Sequence, residues 1–253
     1  MRFRKGELTI STKGFEGNLN SFGWNEQLSD EKWHSSKAKE FRSFFHNLKI
    51  DKTPDLLKKR KEHRLESLLL SEFSKSTSKP LKNIRPIKIA GIRFPMPTPL
   101  KAHDHSTVEY SYDDGGNIDI FVRTGRGKNA KLCVIELKDE NKDSEPACDA
   151  VKQAVKYAVF IRELLRSEAG EAWWSLFGYN KTGNSPIPEK LVIYAACAMP
   201  NKTDADISFA DGWKYKIGND TVLLHYIYFE EDGNEIKNIY SSLPYGTPKV
   251  QAT

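Results

Sequence analysis

A chain of 253 residues, 38% hydrophobic and 29% charged, has the composition of a globular protein with room for a well-packed core. No apolar run reaches the length of a membrane span, and the basic start Met1-Arg2-Phe3-Arg4-Lys5 lacks the apolar stretch and cleavage site of a secretory signal, so a cytoplasmic protein is expected. The net charge of +5 is modest, but thirteen of the basic residues and only five of the acidic ones fall between Lys49 and Arg93, a concentration that favours a polyanionic partner. A solvated helix face beside a basic loop accounts for the same charge equally well.

Residues 1–50 are expected to form a separate N-terminal extension carrying one helix, Asp30 to Leu48, with Ser29 as its cap. Residues 51–253 are expected to form the main domain. Thr53, Pro54 and Asp55 mark the start of a second helix running to about Phe73, with Leu57, Leu65, Leu68 and Leu69 inward and Lys58 to Lys61 outward. Five prolines between Ser74 and Leu100 predict an extended, peripheral segment. A three-strand meander follows: Thr107 to Tyr112, Asn117 to Arg123 and Lys131 to Leu137, with glycine-rich turns between them. Leu132-Cys133-Val134-Ile135 is apolar at both parities, the mark of a central strand covered on both faces. A long helix is predicted from about Pro146 to Ser167, capped by Ser144 or Glu145 and stopped before Gly170, with Ala147, Val151, Ala154, Ala158, Ile161 and Leu165 inward. Leu191 to Ala198 and Val222 to Phe229 read as further strands. The order predicts an α/β domain with a mixed central sheet flanked by helices.

Cys133, Cys148 and Cys197 are too few and too scattered for a disulfide framework or a zinc site. Two of them sit in apolar strand-like runs, so buried free thiols in a reducing compartment are expected.

The chemistry concentrates in three places. Asp119 lies in the return strand of the first hairpin. Glu136 and Lys138 end the central strand, and their i, i+2 spacing puts both side chains on one face. The same Glu-x-Lys or Asp-x-Lys spacing also occurs at Asp30, Glu140 and Glu235, without that setting. An acid at the end of a buried strand is costly unless something neutralises it. A divalent cation does so, and carboxylates plus a main-chain carbonyl suit hard Mg²⁺. An Asp119–Lys138 or Glu136–Lys138 ion pair on a solvated sheet edge is the alternative.

With Gln153 and Tyr157 one helical turn apart on the following helix, the order resembles the PD-(D/E)XK phosphodiesterase superfamily, whose restriction-endonuclease-like core is a helix, a three-strand meander, a helix and a further strand. The resemblance spans roughly residues 54 to 200 and departs from the family pattern in having Ile118 where a proline often precedes the first acid. It implies that Asp119 and Glu136, with the Leu137 carbonyl, hold Mg²⁺ (Mn²⁺ substituting), and that Lys138 orients or activates the attacking water. It assigns Glu66 on the preceding helix to a second metal or its water shell, with Glu62 and Glu72 as rivals. It places Gln153 and Tyr157, the spacing of the RecB-like branch, beside the substrate. Lys152 and Lys156 are then candidate phosphate contacts. The implied activity is hydrolysis of phosphodiesters in nucleic acid, DNA first among them, in restriction, phage defence or repair. Cutting both strands of a duplex would require two sites, hence a dimer. Two other classes stay open: a non-catalytic nucleic-acid-binding module of the same fold, and a protein-interaction domain whose acids form an ion-pair network.

Other features carry less. His103-Asp104-His105 lacks a third well-spaced ligand, and His34, His46, His63 and His225 have no sequence partner. Gly125-x-Gly127-Lys128 is too short for a phosphate-binding loop and reads as a hairpin turn, with Arg123, Arg126 and Lys128 as candidate backbone contacts. Trp173-Trp174 reads as core or edge packing.

Overall fold

The computed structural model describes residues 7–9, 56–75, 81, 84–87, 96–97, 100–101, 109–110, 117–125, 130–139, 147–180, 185–200 and 213–244. The expected helix at 30–48, the caps at Thr53, Ser144 and Glu145, the His103–His105 trio, and Arg126 to Lys128 lie outside the described residues. In chain order the elements are β1 (Glu7–Thr9), α1 (Leu56–Ser74), β2 (Ile84–Pro86), β3 (Met96–Pro97), β4 (Leu100–Lys101), β5 (Glu109–Tyr110), β6 (Asn117–Ile118), β7 (Ile120–Thr124), β8 (Lys131–Leu137), α2 (Ala147–Arg166), α3 (Gly170–Leu176), β9 (Val192–Pro200), β10 (Lys214–Ile217), β11 (Asp220–Asp232) and β12 (Glu235–Ser241). No described helix is long and apolar enough to cross a membrane.

The fold is α/β, built on one mixed eight-stranded sheet in the order β1-β10-β11-β9-β8-β7-β2. The thirteen-residue β11 pairs with β9 along one side and with β10 and then β12 along the other. As the apolar run at 132–135 predicts, β8 is central: antiparallel to β7 on one side and parallel to β9 on the other. The alternation of its side chains divides the core in two. Cys133, Ile135 and Leu137 face α1 through Leu65, Leu69 and Phe73. Leu132 and Val134 face α2 together with Phe121 and Tyr226. Each fully buried large aliphatic or aromatic side chain in these layers contributes about 1.5–3 kcal/mol by leaving water. Cys133 and Cys197 are buried free thiols.

The meander begins on a different strand from the one predicted. Glu109–Tyr110 pairs with Leu100–Lys101 in a small ribbon, while Ile84–Pro86 pairs antiparallel with β7. Pro86 has no N–H for a second neighbour, which suits the sheet edge it occupies. Ile84 and Ile87, at 1% and 4% exposure, anchor this short strand into opposite core layers. The described part of the proline-rich segment thus supplies an edge strand of the main sheet.

Helix α2 departs from a simple inward stripe. Every residue from Val159 to Ile161, as well as Ala154, Val155 and Ala158, is fully buried, so the helix is enclosed rather than half-solvated. Gly170 starts α3 instead of ending the structure. A Cβ there would stand 2.1 Å from the Leu165 carbonyl oxygen, so only glycine allows the chain to fold back so tightly. Trp173 and Trp174 of α3 are buried, with Trp174 stacked on Tyr179, as core packing predicts.

At the far end of the sheet, Asp220 is 2% exposed. It accepts from Arg162 Nε at 2.7 Å, Arg166 Nη2 at 2.7 Å and the Leu191 N–H at 2.9 Å. Burial alone would raise its pKa, but the guanidiniums and the N–H outweigh it and hold the carboxyl below its usual range. The group ties α2 to the starts of β9 and β11. Asp220→Ala is expected to cost about 2 kcal/mol, because it removes the acceptor shared by two guanidiniums and leaves the buried Leu191 N–H unsatisfied. A lower midpoint in urea is the readout. Asp232→Ala, which breaks the exposed Asp232–Lys237 pair, should leave that midpoint in place.

Candidate functional site

Antiparallel register sets Ile120 opposite Ile135, which brings Asp119 across from Glu136 on the next rung. Asp119 occupies the bend between β6 and β7. Its Oδ2 accepts from the Leu137 N–H at 2.8 Å, so the acid is pinned to the end of β8. Glu136 is 5% exposed. Its Oε1 accepts from Lys138 Nζ at 3.1 Å, while its Oε2 is buried with no hydrogen-bond partner. Lys138 Nζ also donates to Gln153 Oε1 at 3.2 Å, and the Lys138 main-chain N–H is held by the Ala198 carbonyl at 2.9 Å. The lysine is therefore fixed at both ends.

Tyr157 lies one turn beyond Gln153 and is 2% exposed. Burial, and then the charges of Glu136 and Asp119, push its pKa up, so it stays a neutral phenol. Glu66 of α1, 7% exposed, completes the group. His63 Nδ1 lies 3.3 Å from Glu66 Oε2.

The electrostatics of the cluster are unfavourable as it stands. Burial first, then Asp119 and Glu62, push Glu66 up to about 8. Asp119 is pushed up to about 7 by burial; the Leu137 N–H and Lys138 oppose the rise, and Glu62 adds to it. Glu136 is raised well above its ordinary value by burial and by Asp119, against the pull of Lys138. Carboxylates crowded this way favour protonation, or a cation placed between them. The unpartnered Oε2 of Glu136, on the rung opposite a second acid, fits a hard divalent ion with oxygen ligands. Among the described residues no group of three or more His, Cys, Asp or Glu is already gathered as a metal cage. The donor set on hand is thus the Asp119–Glu136 pair. Leu137 meets this pair through its N–H.

Asp119, Glu136, Lys138, Glu66, Gln153 and Tyr157, all named from the sequence, converge at one end of β8. The remaining cationic candidates differ in exposure. Lys156 is buried at 4% exposure and Lys152 is half-buried. Arg123 does not serve as a surface cation: its Nη1 donates to the Gly178 carbonyl and its guanidinium lies 5.4 Å from the centre of the Tyr179 ring. Sequence reasoning placed Lys61 in the outward-facing run from Lys58 to Lys61, equally a phosphate grip or a solvated helix face; its Nζ donates to the Asp139 carbonyl at 3.1 Å. It named Glu62 only as a rival of Glu66, whereas the charges of both act on Asp119 or its neighbours. Their i, i+4 spacing on one helix face was the available signal.

Comparison with known proteins finds no matching family model, curated protein or solved structure.

Proposed function

We propose that the protein is a metal-dependent nuclease of the PD-(D/E)XK type, hydrolysing phosphodiester bonds in nucleic acid, with DNA as the favoured substrate. The observation that carries this reading is the convergence of Asp119, Glu136 and Lys138 at the end of a central strand, with one Glu136 oxygen buried and unsatisfied. The element order supports it: α1, then antiparallel β2, β7 and β8, then α2, then β9 parallel to β8. This is the succession expected of a restriction-endonuclease-like core.

Asp119 and Glu136, with the Leu137 carbonyl, would hold Mg²⁺ or Mn²⁺. When bound, the cation lowers the pKa of a water and stabilises negative charge on the phosphate. Lys138, a compact point charge, orients the attacking water and balances charge developing on the phosphate. Gln153 acts through Lys138, whose ammonium it fixes. Tyr157, a neutral phenol, supplies an O–H donor beside the acids. Glu66 adds a further carboxylate for a second cation or its water shell.

The test is incubation of the purified full chain with labelled linear, circular and single-stranded DNA, with Mg²⁺, Mn²⁺ or excess EDTA. Cleavage is expected only with a divalent cation. Cleavage that persists in EDTA, or no cleavage of any form with either metal, overturns the reading.

A further inference from the structure

At the end of β8 the acids outnumber the base: Glu62, Glu66, Asp119 and Glu136 act on a site whose central cation is Lys138. A polyanion approaching such a cluster meets repulsion unless the rim carries positive charge as well. Lys156 is buried and Lys152 half-buried. Lys61 is placed differently. It is exposed on α1, beside Glu62 and five residues before Glu66. Its Nζ reaches the Asp139 main-chain carbonyl at 3.1 Å, one residue past Lys138. Among the described residues no carboxylate pairs with it.

We propose that Lys61 is the substrate-anchoring cation of this site. Resting on the nuclease reading above, it exchanges the Asp139 carbonyl for a non-bridging oxygen of a backbone phosphate flanking the scissile one. The exchange replaces a bond from the ammonium to a neutral carbonyl with one in which both partners are ionised, which is the stronger of the two. The flexible four-carbon stem of lysine allows it without movement of α1. Contact to a phosphate carries no base preference, so this residue adds affinity and not sequence specificity.

The test compares wild type, Lys61→Gln and Lys61→Arg in the full chain. Gln keeps an N–H donor for the Asp139 carbonyl and removes the charge; Arg keeps the charge. Binding of fluorescein-labelled single-stranded and duplex DNA is followed by anisotropy in EDTA across a salt series, with thermal scans confirming that each variant is folded. Lys61→Gln is expected to bind about tenfold more weakly at ~0.1 M salt. Its log–log salt slope should shrink by about 0.9 on duplex or about 0.7 on single strands, the loss of one phosphate contact. Lys61→Arg should bind as wild type. With Mn²⁺, Lys61→Gln should raise KM and leave kcat within about twofold. A folded Lys61→Gln protein with wild-type affinity and slope overturns the proposal while wild-type cleavage keeps the nuclease reading. Lost cleavage with unchanged binding also overturns it. Wild type that neither binds nor cleaves overturns both.

Discussion

Glu136→Gln should leave the protein folded, with its melting temperature within a few degrees of wild type, and reduce Mg²⁺-dependent cleavage by about a thousandfold or more. The fold survives because the substitution is nearly isosteric and Lys138 keeps partners. Gln153 Oε1 still accepts from its ammonium, and Asp119 remains close enough for Lys138 to pull its pKa down. An amide also replaces a carboxyl whose pKa burial, and then the neighbouring Asp119, raise in the free protein. On the proposed nuclease reading activity should not survive, because the neutral amide would give up one of the two carboxylates assigned to the cation. Losing a single preorganised electrostatic element typically costs a hundred- to a thousandfold, and a metal ligand stands at the upper end. Gel cleavage assays over a Mn²⁺ titration, paired with thermal melts, make the measurement. A variant that cuts at the wild-type rate would remove Glu136 from the chemistry.

The second large effect is on pH. Without divalent cation, stability should fall as pH rises from about 5 to about 8, opposite to the usual behaviour of a protein whose acids are paired. Glu66 moves from 4.5 in the unfolded chain to about 8 in the folded one. Asp119 moves from 3.8 to about 7. Between those limits the folded state holds more protons than the unfolded one, so raising pH favours unfolding. The stabilisation is complete below about pH 4 and is lost by about pH 8. For Glu66 alone the shift corresponds to at most about 5 kcal/mol at 1.36 kcal/mol per unit. Glu66→Gln should therefore flatten the profile, raising the melting temperature at pH 8 with little effect near pH 5. Mg²⁺ or Mn²⁺ should reverse the trend, because bound cation replaces those protons and its affinity rises as they leave. Scanning calorimetry at four pH values, with EDTA and with Mn²⁺, measures all three. A cation-free melting temperature that climbs steadily from pH 5 to 8 would refute the crowding of acids described above.

The central strand and its acid were readable because their environment was written locally. Leu132 to Ile135 are apolar at both parities, and Glu136 interrupts that run where a charge needs a reason. Helix α1 was readable from the start signals at Thr53 to Asp55 and α2 from its apolar spacing, though the enclosure of α2 was not. What escaped lacked a local period. Ile84–Pro86 is a three-residue edge strand whose proline reads as a break, and only its pairing with β7 defines it. Short α3 follows α2 after a tight glycine turn that resembles a helix stop. The burial of Lys156 and the capture of Arg123 by Gly178 and Tyr179 are tertiary facts. A lysine or arginine on its own gives no hint that its head group is engaged inside. Glu235-Ile236-Lys237, set aside for lack of a buried setting, proves to belong to β12, with Lys237 paired to exposed Asp232.

The two poles of the sheet treat a buried carboxylate in contrary ways. Asp220 is saturated with donors, whereas Glu136 has a bare oxygen and an acidic neighbour. One pole thus holds its carboxylate ionised by donors, while the other pushes its acids toward protonation. A single sheet therefore carries two carboxylates that answer acid in opposite senses: lowering the pH works against the arginine-held Asp220 and in favour of the crowded acids at the other end.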